Sequence, residues 1–185
     1  MRRGALVATA SIAALSLICA SCSSGNKEGS SKTQTVGTEA PLPAGKNPSV
    51  ISKMVCGDEA QEKISRVLGV DAQVPTPTWV DHVYSCRYTY PNGSFVMSVK
   101  ELSSWSQTLA YFHSLQKTLG DTGALGNLGQ GAFTTKNGSV GVRKDWKILD
   151  VAIAGLPAEF GRPPTTSADV AYTVADLILG CWDGD

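Results

Sequence analysis

The chain holds two histidines, His82 and His113, so any imidazole base or imidazole metal ligand must be one of these. A zinc site draws His, Cys or carboxylate ligands at defined spacings, and these two stand at unrelated positions. A hydrolytic triad needs an acid to hold its base. Asp81 precedes His82, but neighbouring residues of a strand point to opposite faces, so that pair cannot cooperate. His82 is expected on the apolar face of a strand and His113 on a helix beside Phe112, each a lone core or surface histidine. Residues 120–131 place glycine at every third position. A dinucleotide fingerprint needs G-x-G-x-x-G, a P-loop needs a following Gly-Lys-Ser/Thr, and both run from strand to helix. This stretch runs from helix to strand, so it reads as a connection exploiting positive φ. Glu59, Glu62, Asp183 and Asp185 read as solvated charges. No catalytic, metal or cofactor site is expected, and the chain reads as a non-enzyme.

The one clear chemical signal lies at Cys22. Arg2 and Arg3 precede an uncharged, mostly apolar run from Gly4 to Ile18, and Ala20 and Ser21 lead into the cysteine. The apolar run is about 15 residues, short of the roughly 20 that span a bilayer. This is the layout of a cleaved export signal, and the terminal cysteine makes it look like a bacterial lipoprotein signal. Cys19 competes as acceptor, but the bulky Leu17 and Ile18 sit at its cut. Cys22 is the better choice, with Cys19 standing where a branched aliphatic residue is usual. The alternative is an ordinary secretory signal in which Cys22 is incidental. Two acyl chains suffice for stable anchoring, so a lipidated Cys22 holds the protein at the extracytoplasmic face of the cell membrane without a transmembrane helix.

Removing 21 residues from 185 leaves 164, and losing Arg2 and Arg3 moves the formal charge from zero to −2. Nothing here is the basic footprint of a nucleic-acid binder. Residues 1–21 are therefore read as signal, 22–49 as lipidated N-terminus and flexible linker, and 50–185 as one globular domain. The linker is polar, with Pro41, Pro43 and Pro48, and as a random coil it reaches roughly 30 Å.

The elements of the domain follow from periodicity. Asp58 with Gln61 reads as a capping box opening a helix with an Ala60, Ile64, Val67 stripe, stopped by Gly69. Val80 to Tyr90 alternates as a half-buried strand. The Asn92–Gly93 pair turns it into a return strand carrying Phe95, Met97 and Val99. Ser104 with Gln107 opens a second helix, in which Trp105, Leu109, Phe112, Gln116 and Leu119 recur at helical spacing and Leu115 widens the stripe, ending at Gly120. Strands are expected over 132–136, 139–143 and 146–154, with Asn137–Gly138 and Lys144–Asp145 as turns. Ser167 caps a last helix with a Val170, Val174, Leu177, Cys181 stripe. The order is α-β-β-α-β-β-β-α. The expected class is α+β: one antiparallel sheet of about five strands with helices packed on one face.

After processing, Cys56, Cys86 and Cys181 remain, an odd number in an oxidising compartment, so one disulfide is expected. Pairing of Cys56 with Cys181 and an intermolecular bond are among the possibilities. From about Met54 to Cys181 the chain resembles a group of actinobacterial secreted lipoproteins that share an uncharacterised α+β domain. The residues carrying the resemblance are Cys56 before the first helix, Leu68 and Gly69 at its end, and Cys86 with Tyr88. The loop Asn127, Leu128, Gly129, Gln130 before Ala132 and Phe133 also matches, with Asn127 in place of a glycine and Gln130 in place of an acid. The resemblance implies an envelope lipoprotein and, as part of its pattern, a Cys56–Cys86 disulfide. Cys181 is then expected as a buried thiol.

The expected partners are the membrane, through the lipid anchor, and an envelope protein or polymer bound by the domain. The alternative is a small apolar or lipid ligand carried or sensed between sheet and helices. On that alternative, some of Tyr84, Tyr88, Tyr90, Phe95, Trp105 and Phe112 line a groove rather than fill the core.

Overall fold

The computed structural model describes residues 42–182. The signal, Cys19, Cys22, the linker through Pro41, and Asp183 and Asp185 lie outside the described residues.

The elements run α1 (Val50–Met54), α2 (Asp58–Leu68), β1 (Thr78–Val80), β2 (Val83–Tyr90), β3 (Gly93–Glu101) and α3 (Trp105–Leu119). They continue with β4 (Asp121–Leu125), β5 (Gly131–Thr135), β6 (Val140–Lys144), β7 (Lys147–Gly155), β8 (Glu159–Phe160), β9 (Thr165–Thr166) and α4 (Ser167–Trp182). Seven strands form one sheet, β1-β2-β3-β7-β6-β5-β4, and every neighbouring pair is antiparallel. The class is α+β, but the sheet has seven strands rather than about five. The two additional strands are its edges. β1 is only three residues long, and β4 lies inside the glycine-rich stretch expected to be a loop. An edge strand pairs on one side only, so short, weakly apolar segments serve there.

The helices occupy both faces of the sheet, not one. Phe95, Met97 and Val99 of β3 and Leu149, Val151 and Ile153 of β7 join the core shared with α2 and α4. Strand alternation sends Phe133 of β5 and Ile148 of β7 the other way, where they meet Phe112 of α3 in a smaller cluster. The main core is aromatic at its centre. The Tyr88 and Phe95 rings stack at 4.8 Å, and Tyr90 meets Phe160 edge-on at 4.7 Å. The buried Tyr88 hydroxyl donates to the Val55 carbonyl at 2.8 Å, fixing the chain just before α2 onto β2.

Local details refine the expected caps. Gly57, not Asp58, is the N-cap of α2, so Asp58 and Glu59 occupy the first turn instead. There they meet the positive end of the helix dipole. Leu68 takes the buried place expected of Val67, which is 47% exposed. Ser104 caps α3 as expected: its hydroxyl accepts from Gln107 N, and Gln107 Oε1 accepts from Ser103 N. At α4 the capping hydroxyl is Thr166, one residue earlier than expected, accepting from Asp169 N at 3.1 Å. The buried stripe of α4 runs through Ile178, Leu179 and Trp182 rather than Leu177 and Cys181.

Gly141 sets how closely α3 can approach. A Cβ there would stand 2.4 Å from the Phe133 ring. The bare backbone of β6 is what leaves room for that ring, which meets Phe112 edge-on at 5.3 Å. Overpacking a filled site costs about 1–3 kcal/mol. Gly141→Ala is expected to lower unfolding stability by that amount in urea titration, and an unchanged midpoint would remove this account of the packing.

Candidate functional site

α3 covers its face of the sheet unevenly. At its N-terminal end the cover is complete. Arg143 of β6 lies under the helix with its guanidinium 4.4 Å from the Trp105 ring centroid and 5.7 Å from that of Phe112, and its Nη2 donates to the Gln130 carbonyl. Trp105 is therefore 45% exposed and serves as a lid on a cation, not as the core residue that its place in the stripe suggested.

At its C-terminal end the cover fails. β7 presents Ile148, Asp150, Ala152 and Ala154 in turn to this face. Ile148 fills the space under Phe112, but the two alanines are too small to reach the end of α3. A cavity of about 390 Å³ remains, lined by Leu119, Thr135, Asn137, Ser139, Asp150 and the alanines, with exposed Lys136 at its rim. The β5–β6 turn that walls it is held by its own side chains and by the backbone of β7. Thr135 Oγ1 donates to Asn137 Oδ1 at 2.6 Å, Ser139 N donates to the same oxygen at 3.1 Å, and Ser139 Oγ accepts from Ile153 N at 3.1 Å.

None of these bonds reaches Asp150, whose Oδ1 is buried with no hydrogen-bond partner among the described residues. Burial pushes its carboxyl up to about 6, because a charge removed from water without compensation is disfavoured. The cation on the adjacent strand does not supply that compensation: Lys100 Nζ donates to the Asp81 carbonyl and stands 5.6 Å from the Tyr111 ring centroid. Tyr111 registers the acid in turn. Burial first, then the negative charge of Asp150, raise its hydroxyl above the ordinary range.

Glu101 shows what a compensated acid looks like in the same domain. It is 5% exposed. Burial alone would raise its carboxyl, but donation from Ser52 Oγ and Ser49 N and the nearby charge of Lys147 bring it below the ordinary value. A larger cavity, about 500 Å³, lies against it beside Leu42, Val50 and Lys147, yet the acid there has its partners.

The residues singled out from the sequence are otherwise dispersed. Cys56 and Cys86 are joined by a disulfide with their Cα atoms 5.9 Å apart. Cys181 is half-buried on α4, where Lys63 Nζ approaches its sulfur at 3.2 Å. His82 is not on a strand. With Asp81 it forms the two-residue turn between β1 and β2, both at positive φ, and its ring meets Trp79 edge-on at 5.7 Å. His113 is exposed on α3, 3.0 Å from Gln116 Oε1. Asp150 carries a signal in the sequence as well. It is the one charged residue between Ile148 and Ile153, and alternation places it on the face of Ile148 and Ala152.

No family model, curated protein or solved structure matches this chain.

Proposed function

We propose that the chain is a non-enzymatic binding module of the cell envelope, anchored at the extracytoplasmic face through Cys22. Its ligand is a small molecule seated in the cavity between β7 and the end of α3. One observation carries the reading: an acid that lines a hollow large enough for a small ligand has a carboxylate oxygen with no partner among the described residues. Pockets of a few hundred Å³ with one or two placed polar groups are typical of small-molecule sites. Of the two partner classes considered from the sequence, an envelope macromolecule and a small ligand between sheet and helix, the cavity favours the second. The polar groups around it are tied into a turn, and no histidine lines it, which is why binding rather than turnover is proposed.

Native mass spectrometry of the full-length protein, gently extracted from membranes, tests the reading. A bound mass is expected on the wild type and not on Ala152→Leu, which fills the hollow. No bound mass, together with no thermal shift across a small-fragment screen, would end it. The anchor is tested separately: Cys22→Ala is expected to leave the detergent phase and partition as a soluble, unacylated protein.

A further inference from the structure

We infer that the ligand class of this cavity is a protonated primary amine carrying a short apolar arm. The inference rests on the cavity being the binding site, as proposed above, and adds what binds there. Asp150 lines the cavity, and its Oδ1 is buried with no donor among the described residues. A buried charge is tolerated when it is paired and hydrogen-bonded, and the described neighbours provide neither. A bound ammonium supplies both at once, with a positive charge and three donors.

Other cations fit less well. Calcium takes six to eight oxygen ligands, whereas Thr135 Oγ1, Asn137 Oδ1 and Ser139 Oγ are already engaged in the turn. A quaternary ammonium has no hydrogen to give the orphan oxygen and is recognised by aromatic cages, and no aromatic residue lines this cavity. A neutral alcohol satisfies the oxygen but leaves the charge. The remaining wall is apolar, formed by Leu119, Ala152 and Ala154. It accepts a few methylenes beside the carboxylate, whose removal from water is favourable. Lys136 opposes a second positive charge at the rim, so a monoamine is preferred to a diamine.

Isothermal titration and thermal shift of the full-length protein at pH 7.5 test this with n-pentylamine, n-pentanol, pentanoate and pentyltrimethylammonium. A charge-assisted hydrogen bond is worth about 1.5–3 kcal/mol, so pentylamine is expected to bind at least about tenfold more tightly than the other three. Asp150→Asn is expected to remove that preference while still admitting pentanol. Ala152→Leu leaves the carboxylate intact and is expected to weaken all four compounds. Equal binding of pentanol and pentylamine overturns the amine assignment and leaves the cavity as a binding site. Undiminished pentylamine binding to Asp150→Asn also overturns it, because the amine would then sit elsewhere. Binding of none of the four removes the cavity reading and this inference with it.

Discussion

Asp150→Asn is expected to stabilise the protein at neutral pH and to leave it unchanged in strong acid. The Asp150 carboxyl is held at about 6 by burial against an ordinary value of 3.8. The folded state therefore keeps its proton to higher pH than the unfolded chain does. Above about pH 6 the native state carries a buried, uncompensated charge; below the unfolded value both states are protonated and the penalty is gone. A shift of this size corresponds to a destabilisation of about 3 kcal/mol, fully developed above the folded value. The wild type should thus lose stability as pH rises from about 4 to 6.5 relative to the Asn variant.

The comparison must be made between variants at each pH. Glu101 has the opposite sign, since its carboxyl is held below the ordinary value by Ser52, Ser49 and Lys147. Its stabilisation is present above the unfolded value and is lost as pH falls through the folded one. Urea midpoints at pH 3, 5 and 7 are the measurement. A constant difference across that range would mean that Asp150 is not the titrating group.

Removing the disulfide is expected to have an effect of similar size and opposite sign. The bond closes a loop of 30 residues, for which the chain-entropy relation gives roughly 3.5 kcal/mol. Small domains have only about 5–15 kcal/mol in total, so the Cys56→Ser, Cys86→Ser pair should lose a large share of its stability. The loss should concentrate where the bond acts. Cys56 leads into α2, and the neighbouring Val55 carbonyl is held by the Tyr88 hydroxyl, so the junction of α2 with β2 opens first. Hydrogen exchange at residues 55–60 should rise in the double variant before it rises in β7. A midpoint change worth less than about 1 kcal/mol would show that the Tyr88 bond and the packing of α2 already hold the junction.

The sequence made the central elements legible because their patterns are strong. The alternation of 83–90 and the apolar odd positions of 95–99 needed only one buried face to declare themselves. Positive-φ positions were equally visible: Gly69 and Gly120 end α2 and α3 in the left-handed conformation. The edges were not legible. β1 and β4 carry few core residues, and their pairing is decided by the neighbouring strand rather than by their own composition. The layering was misjudged for a related reason. Phe112 and Leu115 announce an apolar helix face, but only the alternation of Phe133 and Ile148 shows which side of the sheet it meets. His82 reads as a strand residue because it alternates with Val80 and Tyr84. Its φ of 58° places it in a turn, where Asp and His tolerate positive φ better than most side chains.

The cavity was illegible for a different reason. It comes from missing volume at Ala152 and Ala154, and absent bulk leaves no periodic mark. Asp150 itself was visible as a charge inside an apolar strand. What the sequence does not carry is that no cation among the described residues comes to meet it. Lys100, on the adjacent strand, is turned toward the Asp81 carbonyl and the Tyr111 ring, a choice settled by tertiary packing.

The ionisation of one side chain decides whether Asp150 is an uncompensated acid and a binding group. Carbon-detected NMR of the Asp150 carboxyl, followed from pH 3 to pH 9 with and without saturating n-pentylamine, measures it. The predicted result is a midpoint near 6 in the unliganded protein that falls when the amine is bound, because a paired carboxylate holds its charge to lower pH. A midpoint in the ordinary carboxylate range, indifferent to the amine, would contradict both the uncompensated burial of Asp150 and its role as the binding group.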